Sequence, residues 1–174
     1  MTINCDIPIL GFAAYSGTGK TTLLINLIPL LKKHGLNIGV IKHAHHAFEI
    51  DQPGKDSYKI RKSGANQMLI GSRERWALMV EQEQTNHIER LQEYINQFDT
   101  TKLDIILVEG FKPEAIPKIE LHRPSLGHTL LCVDDSSIIA IACDEKPKIN
   151  HGLTQLNLND YQSISDYIIN IFIN

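Results

Sequence analysis

The chain has 174 residues, of which 43% are hydrophobic and 21% charged, so it is long enough for one domain, too short for two ordinary ones, and not disordered in composition. With 17 Lys and Arg against 20 Asp and Glu, the net charge is −3, which excludes a broadly basic nucleic-acid surface and leaves room for one small anion site. No apolar stretch reaches the roughly 18–20 residues that span a bilayer, and no basic segment precedes the apolar Ile7–Ala14, so neither a membrane span nor a secretory signal is expected.

Taken in chain order, Ile7–Ala14 reads as a buried strand that ends in a Gly-rich turn. Thr21–Lys33 reads as a helix with Leu23, Leu24, Leu27, Ile28, Leu30 and Leu31 on its apolar face. Pro29 should kink it, and Gly35 should stop it. Asn37–Lys42 is the next strand. Residues 43–54 form a polar loop, and a short helix follows from Lys55 or Asp56 to Ser63. Gln67–Gly71 and Trp76–Glu81 are strands joined by a polar turn. Thr85–Phe98 is an amphipathic helix with Ile88, Leu91, Ile95 and Phe98 at helical spacing, and Asn86 and Glu89 stand like a capping box at its start. Leu103–Glu109 is a second wholly apolar strand. Strands at Lys118–His122 and Leu130–Val133 flank a Pro- and Gly-containing turn, Ser137–Ala142 is another buried strand, and a helix capped by Asn159 or Asp160 closes at Phe172.

Alternating strands and helices predict an α/β three-layer fold with a mostly parallel sheet in one domain, residues 1–174. The segments 67–81 and 118–133 are close enough in sequence to form hairpins, so the sheet is expected to be mixed. The odd set Cys5, Cys132 and Cys143, without CxxC spacing, reads as reduced thiols of a cytoplasmic protein.

The strongest chemical signal is Ala14-Tyr15-Ser16-Gly17-Thr18-Gly19-Lys20-Thr21-Thr22, between an apolar strand and an apolar-faced helix. That is the context of a phosphate-binding loop of the three-layer P-loop NTPase fold, with Ala14 at the usual first Gly. Gly17 and Gly19 let successive N–H groups turn inward on a phosphate, in the stretch Ser16, Gly17, Thr18, Gly19, Lys20, Thr21 and Thr22. Lys20 would reach the β- and γ-phosphates, and the Thr21 hydroxyl would ligate Mg2+. Glu109, at the end of an apolar strand, would hold the same metal directly or through water. Asp104, at the other end of that strand, reads as a solvated edge charge.

Ile41-Lys42-His43-Ala44-His45-His46, Asp51-Gln52-Pro53-Gly54-Lys55-Asp56-Ser57-Tyr58 and Val108-Glu109-Gly110-Phe111-Lys112, taken with the Ser16–Thr22 loop, resemble the molybdopterin-guanine dinucleotide biosynthesis protein B family. The resemblance runs in order from about Ile9 to at least Pro147. It implies a small P-loop NTPase of the class that includes the signal-recognition and dethiobiotin-synthase-like enzymes. It also implies GTP and Mg2+ as ligands, weak GTP hydrolysis, a homodimer, and a part in molybdenum cofactor maturation beside a molybdopterin nucleotidyltransferase, with molybdopterin itself a further candidate ligand.

The loop after the second strand is where P-loop proteins place a nucleotide-sensing segment. Asp51 and Asp56 are candidates there to position a water or an outer metal ligand, with helix initiation the alternative for Asp56. Lys42 and Lys55 are either solvated or bind phosphate or an anionic pterin. His43, His45 and His46 suit hydrogen bonding to a ligand or to loop carbonyls better than a tetrahedral metal site. Asp144, after a late strand, is either an ordinary loop carboxylate or the acceptor for guanine N1–H and N2–H. Tyr15 stands where some dimeric relatives of the class carry a trans-acting Lys, and no Arg is placed as an obvious finger, which fits slow hydrolysis. Two alternatives remain: a non-catalytic nucleotide-binding adaptor that docks on the nucleotidyltransferase, and a small-molecule kinase, disfavoured by the absence of an Arg cluster beyond Arg73 and Arg75.

Overall fold

The computed structural model describes residues 3–44, 48–82, 91–145 and 152–174. The chain groups into two compact units, one of residues 1–43 and 90–174, the other of residues 44–89.

The first unit is built on six strands: β1 (Ile9–Ala13), β2 (Ile38–Lys42), β5 (Ile105–Glu109), β6 (Lys118–His122), β7 (Ile138–Cys143) and β8 (Thr154–Asn157). They pair in the order β2-β5-β1-β6-β7-β8, and every pairing is parallel. β1 and β5 are buried along their whole length, because a parallel sheet is covered on both faces and needs side chains that tolerate that on either side. On one face Leu10, Phe12, Ile105, Leu107, Ile119 and Leu121 pack with Leu23, Leu27 and Leu31 of α1 (Lys20–Lys33) and Ile164 and Ile168 of α4 (Tyr161–Phe172). On the other face Ile9, Ile41, Ile106 and Val108 pack with Leu91 and Ile95 of α3 (Leu91–Ile95) and with Phe111 and Ile116. Truncating a fully buried leucine such as Leu10 or Leu27 to Ala should cost about 2–5 kcal/mol.

α1 continues through Pro29. Pro29 and Ile25, whose carbonyl loses its usual partner, both lie on the exposed side, where water serves that carbonyl. α4 is capped by Asp160, whose carboxylate accepts from the Ser163 N–H at 3.0 Å.

The second unit holds α2 (Asp56–Lys62) and an antiparallel hairpin of β3 (Gln67–Gly71) and β4 (Trp76–Val80). Arg61 is its anchor, 6% exposed and paired with Asp51, Glu81 and Glu49. The hairpin has one covered face, with Met79 buried and Met68 half-buried. The other face carries Leu69, Trp76, Leu78 and Val80, from 40% to 67% exposed.

Three sequence expectations change. The 67–81 hairpin forms but makes its own two-stranded sheet, so the main sheet is parallel throughout the described pairings. Leu130–Val133 is not a strand: Leu131–Val133 is a single 3-10 turn held by Glu120, whose carboxylate accepts from the N–H groups of Leu131 and Cys132 at 2.7 and 2.9 Å. β6 therefore pairs with β7 through a crossover instead of forming a hairpin. β8 was not expected, and its four residues are mostly polar and exposed because it lies at the sheet edge. Asn86, Ile88, Glu89, His45, His46, Lys146 and Pro147 lie outside the described residues. Among the described residues no helix is long and apolar enough to cross a membrane.

Candidate functional site

In an open parallel sheet, ligands bind beyond the carboxyl ends of the strands, and the chemistry of the first unit gathers there. Five strands deliver it: the loop 14–19 from β1, Lys42 from β2, Glu109 from β5, Arg123 just past β6, and Asp144 just past β7.

The loop after β1 has Gly17 at φ 79° and Gly19 at φ 109°, the two left-handed positions that let the backbone coil around a small anion. Gly19 precedes α1 and supplies no side-chain cap, and the first helical N–H groups have no partner within the helix, so the helix opens on the loop with donors and positive partial charge. Thr18 is 2% exposed and its hydroxyl donates to the Tyr15 carbonyl at 2.9 Å, so this side chain braces the loop from within. Ser16, Gly17, Thr21 and Thr22 are exposed along the same loop and first turn. Lys20 folds over them: its ammonium donates to the carbonyls of Ala14 and Tyr15, both at 3.2 Å. Burial lowers its pKa below the ordinary 10.5, against the upward pull of Glu109 and with help from nearby Lys112 and Lys42.

Glu109 is 9% exposed at the end of β5, and its Oε2 accepts from Lys42 Nζ at 2.7 Å. The chain leaves β5 through Gly110 at φ 100° and Phe111 at φ 48°. A side chain at position 110 would begin 2.5 Å from His43 Cβ, so this exit demands Gly both for conformation and for space. His43 donates its backbone N–H to the Glu109 carbonyl at 2.8 Å, and its ring meets Phe111 at 5.2 Å. Among the described residues no group of three His, Cys, Asp or Glu is arranged for a metal, so a cation here would draw most of its ligands from phosphate and water. The donor set of Thr21 hydroxyl and Glu109 carboxylate is all oxygen, which suits a hard ion such as Mg2+.

Asp144 accepts from Arg123 Nη1 at 2.5 Å through Oδ2, while its Oδ1 is buried and has no hydrogen-bond partner among the described residues. Leaving such an acceptor unmatched costs about 1–3 kcal/mol, which a ligand N–H would recover. Arg123 also donates from Nε to the Thr18 carbonyl at 3.0 Å. Tyr15 stacks on His128 with ring centroids 4.2 Å apart, and Lys112 Nζ sits 5.1 Å from the Tyr15 ring centroid.

Of the residues expected to act, Ser16–Thr22, Glu109 and Asp144 share this edge of the first unit. Asp51 and Asp56 belong to the second unit. There Arg61 takes both Asp51 oxygens, at 2.7 and 3.4 Å, and Asp56 is exposed 3.8 Å from Lys59. Asp104 sits at the opposite end of β5 and accepts from the Asn37 backbone at 2.6 Å. Arg123 was given no site role from the sequence, and Lys112 only a place in the Val108–Lys112 segment. The 118–133 stretch read as a hairpin put Arg123 on a turn, whereas a parallel β6 puts it at the ligand edge.

The family model described as molybdopterin guanine dinucleotide synthesis protein B matches residues 9–144. The chain is 48% identical over 164 residues to the molybdopterin-guanine dinucleotide biosynthesis adapter protein of Escherichia coli K12, covering 94% of this chain and 92% of that one. It is 41% identical over 168 residues to the protein of the same name from Haemophilus influenzae, covering 97% and 91%. Its fold resembles that of the solved Bacillus subtilis MobB with a TM-score of 0.73 at 21% identity, over 95% of this chain and 98% of that one.

Proposed function

The chain belongs to the molybdopterin guanine dinucleotide synthesis protein B family, and from that premise we propose that it binds GTP with Mg2+ at the loop 14–22 and assists conversion of the molybdenum cofactor to its guanine dinucleotide form, hydrolysing GTP only weakly. The carrying observation is the Lys20 ammonium, folded onto the Ala14 and Tyr15 carbonyls beside two left-handed glycines and an uncapped helix start. A triphosphate offers that ammonium better acceptors than two neutral carbonyls, since charge-assisted bonds are about twice as strong as neutral ones. The loop N–H groups then hold the β-phosphate, Lys20 spans the β- and γ-oxygens, and Thr21 and Glu109 orient the metal side. Mg2+, when bound, neutralises charge on the β- and γ-phosphates. Slow turnover fits the arrangement, because Arg123 is committed to Thr18 and Asp144, and Asp51 to Arg61.

A second reading, a nucleotide-carrying adaptor without useful hydrolysis, draws support from the adapter role printed in the relatives' names. In either case the partner is a molybdopterin nucleotidyltransferase in the cytoplasm. A homodimer is supported by the apolar outer face of the hairpin, since a lone two-stranded ribbon is marginal and Leu69, Trp76, Leu78 and Val80 lie exposed on it. The deciding experiment measures GTP binding by titration and GTP turnover alone and with the nucleotidyltransferase. Binding with turnover that the partner stimulates supports the enzyme. Binding without turnover in both conditions supports the adaptor, and no binding removes both.

A further inference from the structure

In the reading above Arg123 matters only as an arginine withheld from the phosphates, yet it joins two parts of the site. Its Nε donates to the Thr18 carbonyl at 3.0 Å and its Nη1 to Asp144 Oδ2 at 2.5 Å. The reason they meet lies in the sheet register. His122 and Cys143 are partners on the parallel strands β6 and β7, so the next residues, Arg123 and Asp144, leave the sheet side by side. Thr18 is a fixed point, 2% exposed and bonded through its own hydroxyl to Tyr15. A guanidinium is planar with its donors in a rigid fork, so a carbonyl on Nε and a carboxylate on Nη1 set its plane and, through it, the direction of the carboxylate. A carboxylate has about four lone-pair sites. The structure shows Arg123 on Oδ2, while Oδ1 is buried and accepts nothing among the described residues. An Arg with Nε spent on a loop carbonyl is oriented by the loop, which differs from one aimed at phosphate.

We propose that Arg123 is a positioning residue for base selection: it locks Asp144 to the phosphate loop so that the remaining lone pairs of Asp144 meet a purine edge carrying N1–H and a 2-amino group. The proposal rests on the phosphate-loop reading and on Asp144 as the base acceptor. In this role Arg123 acts through Asp144; its Nη2 lies 3.8 Å from where a side chain at Gly19 would begin, so tripolyphosphate binding is the readout that separates positioning from direct phosphate contact. Removing it lets Asp144 rotate freely, so the base loses a fixed acceptor while the phosphates keep all their donors.

The test is competition titration of the full chain with GTP, inosine triphosphate, ATP and inorganic tripolyphosphate, using the parent, Arg123→Ala, Arg123→Lys, Asp144→Ala and the double variant. Arg123→Ala should weaken GTP about tenfold, the scale of one charge-assisted hydrogen bond, and shrink the preference for GTP over inosine triphosphate and ATP. Tripolyphosphate should stay within about twofold of the parent, Arg123→Lys should restore part of the preference, and the double variant should match Asp144→Ala alone. If Arg123→Ala does not fold, Arg123→Lys still reports, because a point charge can reach Asp144 without fixing its plane. Loss of tripolyphosphate affinity in step with GTP would make Arg123 a phosphate ligand and overturn the proposal. So would full base preference in Arg123→Ala, or effects in the double variant that simply add. A parent that binds neither GTP nor tripolyphosphate overturns the phosphate-site reading instead, and an Asp144→Ala protein that keeps full base preference overturns the acceptor role of Asp144.

Discussion

Lys42 Nζ lies 2.7 Å from Glu109 Oε2, and the two residues are register partners across β2 and β5. The Lys42 side chain is half exposed at 56%, whereas that of Glu109 is 11% exposed, so the pair is a mobile cation resting on a fixed carboxylate. A divalent ion brought in by phosphates can share that carboxylate with Lys42 or displace it, because only the lysine has somewhere to go. Glu109→Gln is accordingly expected to weaken GTP binding in Mg2+ by about 1–3 kcal/mol and to leave binding in a chelator nearly unchanged. Titrations in both conditions check it, and equal losses would take Glu109 off the metal side.

Lys20→Ala should cost triphosphate affinity about 1.5–3 kcal/mol, the scale of a hydrogen bond to a charged group. Calorimetry on a variant with parent-like circular dichroism measures it. An unchanged affinity would remove the phosphate loop from the account.

The lowered pKa of Lys20 has a sign that can be read in solution. The unfolded chain binds this proton up to about 10.5 while the folded one releases it earlier, so the charged form costs stability below the lowered value, and that deficit fades as pH rises through it. A triphosphate bound beside the ammonium would raise the pKa again, since an anion favours the charged form. If the loop binds GTP as proposed, the parent should take up more protons on binding than Lys20→Ala in the alkaline window below 10.5, and that difference between the two proteins is the part that belongs to Lys20. Calorimetry in two alkaline buffers of different ionisation enthalpy detects it.

Asp144→Asn places an amide donor where the base presents donors. It should weaken GTP by about 2–3 kcal/mol and shift preference toward xanthosine triphosphate, which carries a carbonyl at C2. An unchanged ratio of the two affinities would mean that base choice resides elsewhere.

In the second unit, Arg61 holds the carboxyls of Asp51 and Glu49 below their ordinary 3.8 and 4.5, Lys62 acting first on Glu49. The stability they lend is present above those values and drains away as pH falls through the lowered ones. Amide exchange in residues 48–82 should accelerate on acidification below about pH 4.5 before it does in β1 and β5, and Arg61→Met should bring the same loosening to neutral pH. On the outer face of the hairpin, Leu78→Lys is expected to shift sedimentation from dimer to monomer. A parent that sediments as a monomer would refute the dimer.

The geometry of the loop 14–22 was legible because it is written in contiguous residues: a strand, two glycines, a lysine and a helix start. Glu109 was legible for a similar reason, as an acid ending an apolar strand. Arg123 was not, since its meaning depends on whether β6 turns back as a hairpin or crosses over to β7, and Pro124 and Gly127 mark a turn in either case. Leu130–Val133 read as a strand because its four residues are all apolar, whereas buried Glu120, 11 residues before Leu131, takes the Leu131 and Cys132 N–H groups and holds a 3-10 turn. β8 carries too few apolar residues to announce itself, because an edge strand has little to bury.

The strand order also sets a timetable for synthesis. β1 lies in the middle of the sheet, yet its two neighbours, β5 and β6, are translated about a hundred residues later, some 5–20 seconds at ordinary ribosome speeds of roughly 5–20 residues per second. Until then the loop 14–19 is a stretch of chain with nothing to hold its curvature. If the loop binds nucleotide as proposed, nucleotide cannot template the early chain and can stabilise only a nearly finished one, so a ribosome stalled between β2 and β5 should expose a chain that GTP does not protect from protease.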